Sequence, residues 1–261
     1  FETFSRASIG IILVLLGAGV MGALGSSAMG AFLALWFGAK RVGVFRERRP
    51  YHRESFKVGD FWSTTGKVFI IAMPVGFFQE MDVMLAKRFF LPDFAGLYAS
   101  CALVGKGLLA FGGVFSTLIY PKLVRAQLSK DGIKDFLYGV GFVSLVFGIG
   151  FFLAKIFRNE ILFYLFGREF LSGAEILPYY VIAILPLAIH CQLMNYMIAV
   201  GGIKEGLWLW ITLLAYYFLL ELFSSSWKTY LSSLFIAHIL FTLMGFMILF
   251  YGKFRRSECI N

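Results

Sequence analysis

Charge is scarce in these 261 residues: only 15% are Asp, Glu, Lys or Arg, against 59% hydrophobic. A soluble domain carries about 25% charged and roughly 45–50% apolar residues, so the apolar excess exceeds what one soluble core could hide. Catalytic signatures are missing too. There is no GxSxG, no HExxH, no Walker loop and no Gly-rich strand-to-helix turn, so nothing asks for an enzyme. Histidine and cysteine number three each. Cys101, Cys191 and Cys259 are scattered, without a CxxC or a histidine at ligand spacing. Neither a zinc site nor a disulfide scaffold is indicated, and no metal or other cofactor is expected. His190 and Cys191 are adjacent, and adjacent helical residues diverge. Long polar segments are also lacking, apart from a basic stretch at 40–60, which leaves no room for a catalytic domain between the apolar runs.

What is present is hydrophobic length. Mean hydropathy is +0.80, and Phe alone supplies 31 residues. A bilayer core about 30 Å thick takes roughly 20 apolar residues of helix. The run from Ala7 to Ala39 is uncharged, too long for one ordinary crossing and too short for two. Glycines at 17, 19, 22 and 25 offer a place to reverse. We therefore expect the tail of a helix ending near Gly19, then a full span to about Trp36. Six further spans are expected at 61–90, 95–118, 136–157, 174–200, 207–223 and 231–252, with Pro74 and Pro186 as possible kinks. The chain starts at Phe1 without a signal-peptide layout, which reads as a cut rather than a natural beginning.

The net charge of +9 is not a nucleic-acid footprint, because the cations cluster in short loops between apolar runs. With the spans above, one side collects Lys40, Arg41, Arg46, Arg48, Arg49, Arg53, Lys57, Lys122, Arg125, Lys130, Lys134, Lys204, Lys253, Arg255 and Arg256. The other holds only Lys87, Arg88, Lys155, Arg158, Arg168 and Lys228. Basic loops stay inside, so that bias places the richer side and the C-terminus in the cytoplasm. The expected division is 1–39 as the end of a preceding lobe, 40–60 as a basic cytoplasmic linker, 61–252 as a six-helix lobe, and 253–261 as a cytoplasmic tail. In the linker, Arg46, Arg48, Arg49 and Arg53 either set topology alone or face lipid or substrate phosphate.

Ionisable residues inside spans cost about 2.5–3.5 kcal/mol on insertion scales, so each needs a reason. Gln79, Glu80 and Asp82 sit late in 61–90. Gln79 and Asp82 share a helical face, with Glu80 about 100° round from Gln79. Either they line a cavity, or they end the helix at the interface paired with Lys87 or Arg88. Lys106 lies mid-span and must face water, an anionic substrate, or a partner such as Asp82 or Glu175. Lys67, nearer its span's end, can snorkel. Along 174–200, Glu175 and Tyr179 are one turn apart, as are Gln192 and Asn195. That polar stripe either lines a hydrated path or bonds neighbouring helices. His238 reads as packing and Glu221 as an interfacial residue.

One stretch resembles a known family. Glu80-Met-Asp82-Val-Met-Leu-Ala-Lys-Arg-Phe-Phe-Leu-Pro-Asp-Phe-Ala-Gly96-Leu97-Tyr98-Ala-Ser100 is similar to the junction of the seventh and eighth helices of polysaccharide (O-antigen) flippases. These belong to the multidrug/oligosaccharidyl-lipid/polysaccharide exporter superfamily. Ser116 to Pro121, Arg168-Glu169-Phe170 with Leu177-Pro178, and Ile198-Ala-Val-Gly201-Gly202 resemble later landmarks of that family. The resemblance implies an all-α, polytopic bundle: one complete six-helix lobe and the end of a preceding one. It implies alternating access, and a lipid-linked oligosaccharide of the undecaprenyl-pyrophosphate type as cargo. Membrane lipids and other glycan-assembly proteins are the expected partners, in the cytoplasmic membrane. On this reading Asp82 and Lys106 face the cavity, with Gln79, Glu80, Glu175, Tyr179 and Asn195 as further candidates. A cation-coupled multidrug antiporter of the same superfamily and a membrane-embedded glycan polymerase or glycosyltransferase are the alternatives.

Overall fold

In a chain with few charges, helix ends are set by glycine, proline and short polar turns. The computed structural model describes residues 2–46, 58–126, 130–199 and 207–258, and these are almost entirely helical, with no strand among them. The chain divides into two units, Phe1–Lys57 and Val58–Asn261.

In the first unit, α1 (Glu2–Leu13) and α2 (Gly19–Arg46) pack on each other across a wide turn, Val14–Ala18. Gly17 sits in that turn at φ 87°, a left-handed conformation that a side chain would strain. The reversal thus falls within the expected glycine cluster, at its first member. The helix after it continues beyond Trp36 to Arg46. The linker residues Arg48, Arg49 and Arg53 lie outside the described residues, as do Lys204 and the Gly201-Gly202 pair; Arg46 is the last residue of α2.

The second unit contains α3 (Val58–Phe89), α4 (Pro92–Ala126), α5 (Lys130–Ile156), α6 (Arg158–Phe166), α7 (Ile176–Ala199), α8 (Leu207–Leu222) and α9 (Trp227–Glu258). A short 3₁₀ turn, Arg168–Gly173, joins α6 to α7 after Gly167. Most of these helices outrun the spans expected from hydropathy, because polar end turns such as Lys130–Lys134 stay helical. Pro74 and Pro186 lie inside helices that are not interrupted there.

Four of them, over Pro92–Leu123, Gly132–Ile156, Ile176–Ala199 and Trp227–Met247, are long and apolar enough to cross a membrane. The architecture is an all-α bundle of membrane type. α7 is its axis, packed by α4, α5 and α9, while α3 lies on α8 and α4. Aromatic contacts lock these neighbours together. Phe78 of α3 stacks on Phe241 of α9 at 3.8 Å and meets Tyr216 of α8 at 4.9 Å, while Phe136 of α5 meets Tyr196 and Phe246. Large apolar side chains such as Phe152, Leu145, Phe111 and Leu240 point outward and are exposed. In water that surface would drive aggregation; against acyl chains it costs nothing.

Candidate functional site

The polar residues of α3, α4 and α7 meet around a cavity of about 370 Å³. Its wall is drawn from Gln79 and Glu80 of α3, Lys106, Leu109, Ala110, Gly112, Gly113 and Ser116 of α4, and Ala188, Cys191, Gln192 and Asn195 of α7. The spacing in α7 is one face of a helix, 188–191/192–195, and in α4 it runs 106–109/110–113–116. From Lys106 to Ser116 the lining extends about 15 Å along α4, at a helical rise of 1.5 Å per residue.

At one end of the cavity stands a charge cluster. Lys106 Nζ lies 3.0 Å from Glu80 Oε2 and 3.3 Å from Asp82 Oδ1. The two carboxylates differ in setting. The Glu80 side chain is 67% exposed and belongs to the cavity, whereas that of Asp82 is 3% exposed and lies behind it. Three tyrosines close over Asp82. Tyr180 donates to Oδ2 at 2.7 Å and Tyr98 to the same oxygen at 3.1 Å, while Tyr230 donates to the Asp82 backbone carbonyl at 2.6 Å. The three hydroxyls come from α7, α4 and α9, so Asp82 ties α3 to three neighbours. A buried charge is tolerable only when paired and hydrogen-bonded in this way.

Gly105 admits this arrangement. A Cβ there would lie 2.6 Å from two ring carbons of Tyr180, so only glycine lets that ring reach Asp82 beside α4. The rings themselves interlock edge-on, Tyr98 with Tyr180 at 5.5 Å and with Tyr230 at 5.7 Å. Lower in the cavity, Gln79 Nε2 lies 3.7 Å from Cys191 Sγ, and Gln192 Nε2 donates to the Gly112 carbonyl at 3.4 Å. Gln192 is therefore both wall and interhelical bond.

The sequence candidates separate clearly. Gln79, Glu80, Lys106 and Asn195 share the cavity, and Asp82 joins it through Lys106 rather than by facing it. Pairing of Glu80 or Asp82 with Lys87 or Arg88 is not formed among the described residues. Arg88 turns instead to Tyr217, at 2.8 Å, and Glu221, at 3.6 Å. Glu175 is exposed just before α7 begins, and Tyr179 is 57% exposed, edge-on to Trp227 of α9. Both lie away from the cavity: Tyr179 is nine residues before Ala188, half a turn round α7 from the cavity wall, and Glu175 precedes the helix.

His190 and His238 are buried in the α7–α9 seam. His238 Nδ1 lies 2.9 Å from the Ala183 carbonyl, and His190 stacks on Phe241 at 3.8 Å. Tyr98, Tyr180 and Tyr230 as a cage for Asp82, and Ser116 and Cys191 as wall, do not follow from sequence spacing alone. The available signal was a hydroxyl or thiol in an otherwise apolar span.

No family model, curated protein or solved structure matches this chain.

Proposed function

We propose that this chain belongs to a membrane carrier that flips a lipid-linked oligosaccharide across the cytoplasmic membrane by alternating access. The observation that supports the reading is the cavity itself. An apolar bundle has no use for a polar-walled space unless water or a polar cargo enters it, and residues such as Lys106 and Glu80 in such helices mark cargo or ion pathways. Amides and hydroxyls on the wall, from Gln79, Gln192, Asn195 and Ser116, are donors and acceptors of the kind that sugar hydroxyls pair with. The charge cluster refines the idea. Lys106 already faces two carboxylates, so the group carries a formal surplus of one negative charge and offers a pyrophosphate no net attraction. The sugar portion, not the pyrophosphate, is the part suited to this cavity.

That same surplus favours a second reading, the cation-coupled antiporter, in which a small cation would be drawn to Glu80, the carboxylate that faces the cavity. One experiment separates the two. The gene product containing this chain is expressed in a strain lacking its oligosaccharide flippase, and surface glycan is scored alongside resistance to cationic drugs. Restored glycan without added resistance is the expected result. Resistance without glycan, from a well-expressed and membrane-inserted protein, would transfer the reading to the antiporter.

A further inference from the structure

A second cavity, of about 320 Å³, opens between α7 and α9 at the end of the bundle where both helices begin. Its lining has two zones. Tyr179, Trp227 and Lys228 form the end nearest the helix starts, and Ile182, Leu231 and Phe235 form the deeper wall. Tyr179 and Trp227 meet edge-on with ring centroids 5.9 Å apart, and the Lys228 ammonium stands 5.3 Å from the Trp227 ring centre. The apolar stretch of α9 that could cross a membrane starts at Trp227. Aromatic rings with polar edges and lysines collect at that level, where headgroups begin. Phe235 lies about 12 Å deeper, at a rise of 1.5 Å per residue. The groove therefore runs from headgroup depth into the acyl region.

Charge points to the occupant. Lys228 has no salt bridge among the described residues, and no carboxylate lines the groove. An unneutralised ammonium over an aromatic floor, leading into an aliphatic channel, fits an anion carried on a hydrocarbon chain. We infer that the α7–α9 groove is a binding site for an anionic phospholipid, with its phosphodiester at Lys228 and an acyl chain along Ile182, Leu231 and Phe235. A single cation matches a single-charge headgroup such as that of phosphatidylglycerol. The site is separate from the polar cavity on the other side of α7, and it stands whichever cargo that cavity takes.

Trp227 makes the site self-reporting. The protein is placed in vesicles of phosphatidylcholine containing either brominated phosphatidylglycerol or brominated phosphatidylcholine, and tryptophan quenching is titrated. Subtracting the Trp227→Phe variant isolates Trp227 from the other four tryptophans. One lysine near the membrane surface contributes about 1 kcal/mol of attraction to anionic lipid, so Trp227 should be quenched with about fivefold preference for phosphatidylglycerol. Lys228→Met should abolish that preference and Lys228→Arg should keep it. Equal quenching by both lipids, or a preference that survives Lys228→Met, overturns the proposal. Lys228 is exposed and makes no ion pair among the described residues, so loss of folding does not cloud the comparison.

Discussion

α5 and α7 have similar lengths and opposite surroundings. The apolar stretch of α5 has mean hydropathy 2.2 and is 28% buried within the bundle, whereas that of α7 has 1.7 and is 72% buried. Of the two membrane-length stretches, the less hydrophobic is the one inside. In water that order would be an error. In a bilayer the acyl chains are as apolar as leucine, so hydrophobicity does not drive a helix inward. Polarity does, because groups such as Tyr180, Gln192 and Asn195 must find partners or a polar space, and these lie inside the bundle: Asp82 of α3, the Gly112 carbonyl of α4 and the cavity that Asn195 lines. The outward residues of α5, Leu145, Ile149 and Phe152 among them, have nothing to pair.

The largest effect that would break this comparison is at the charge cluster. Lys106→Met leaves the buried Asp82 carboxylate without its cation, and removing one member of a buried pair costs about 3–5 kcal/mol. Adding Asp82→Asn should recover most of that loss in chemical denaturation in micelles, because the uncompensated charge goes too. A double variant no more stable than Lys106→Met alone would show that the pair is not coupled. Next comes Gly105→Ala, which drives a methyl into the Tyr180 ring. Overpacking of this kind costs about 1–3 kcal/mol and should displace Tyr180 from Asp82. Tyr180→Phe, which keeps the ring and loses only the hydroxyl, should cost less.

Smaller still is Thr242→Val in α9. The Thr242 hydroxyl lies 2.8 Å from both the Pro186 and His238 carbonyls, and interhelical bonds of this type average about 0.6 kcal/mol. Last is the outer face of α5, where Ile149→Ala should change stability by no more than about 0.5 kcal/mol. A large loss at Ile149 would mean that α5 faces protein rather than lipid.

How much of this was legible beforehand follows the same division. Long uncharged runs announce helices, and the glycine cluster announces the break at Gly17, since both depend on local composition. Lys106 could be marked because a charge in mid-span is conspicuous anywhere, and Asp82 was among the partners considered for it. The cage around Asp82 was not legible. Its hydroxyls are separated from it by 16, 98 and 148 residues, and helical spacing fixes a face without saying which neighbour that face meets. Glu175 and Tyr179 show the reverse failure. Tyr179 shares α7 with Gln192 and Asn195 but points to the opposite side of it, toward α9, and Glu175 falls just before the helix begins. Gly105 is the residue that decides whether Tyr180 can reach Asp82, and a glycine in an apolar helix carries no mark of which ring it admits.

The cavity is the centre of this account, and two glycines test it as a matched pair. Gly113 lines the cavity from α4 and Gly141 lies exposed on α5, and a Cβ at either would meet nothing within 4 Å. A Cβ is therefore free of clash at both positions, and the protein level of each variant checks that the ring is tolerated. Surface glycan is the measurement, in the flippase-deficient strain at matched protein levels. Gly113→Phe fills the polar space and should abolish export, while Gly141→Phe adds one more ring facing lipid and should leave export intact. Full export with Gly113→Phe would contradict the account, because the cargo would then have to pass elsewhere.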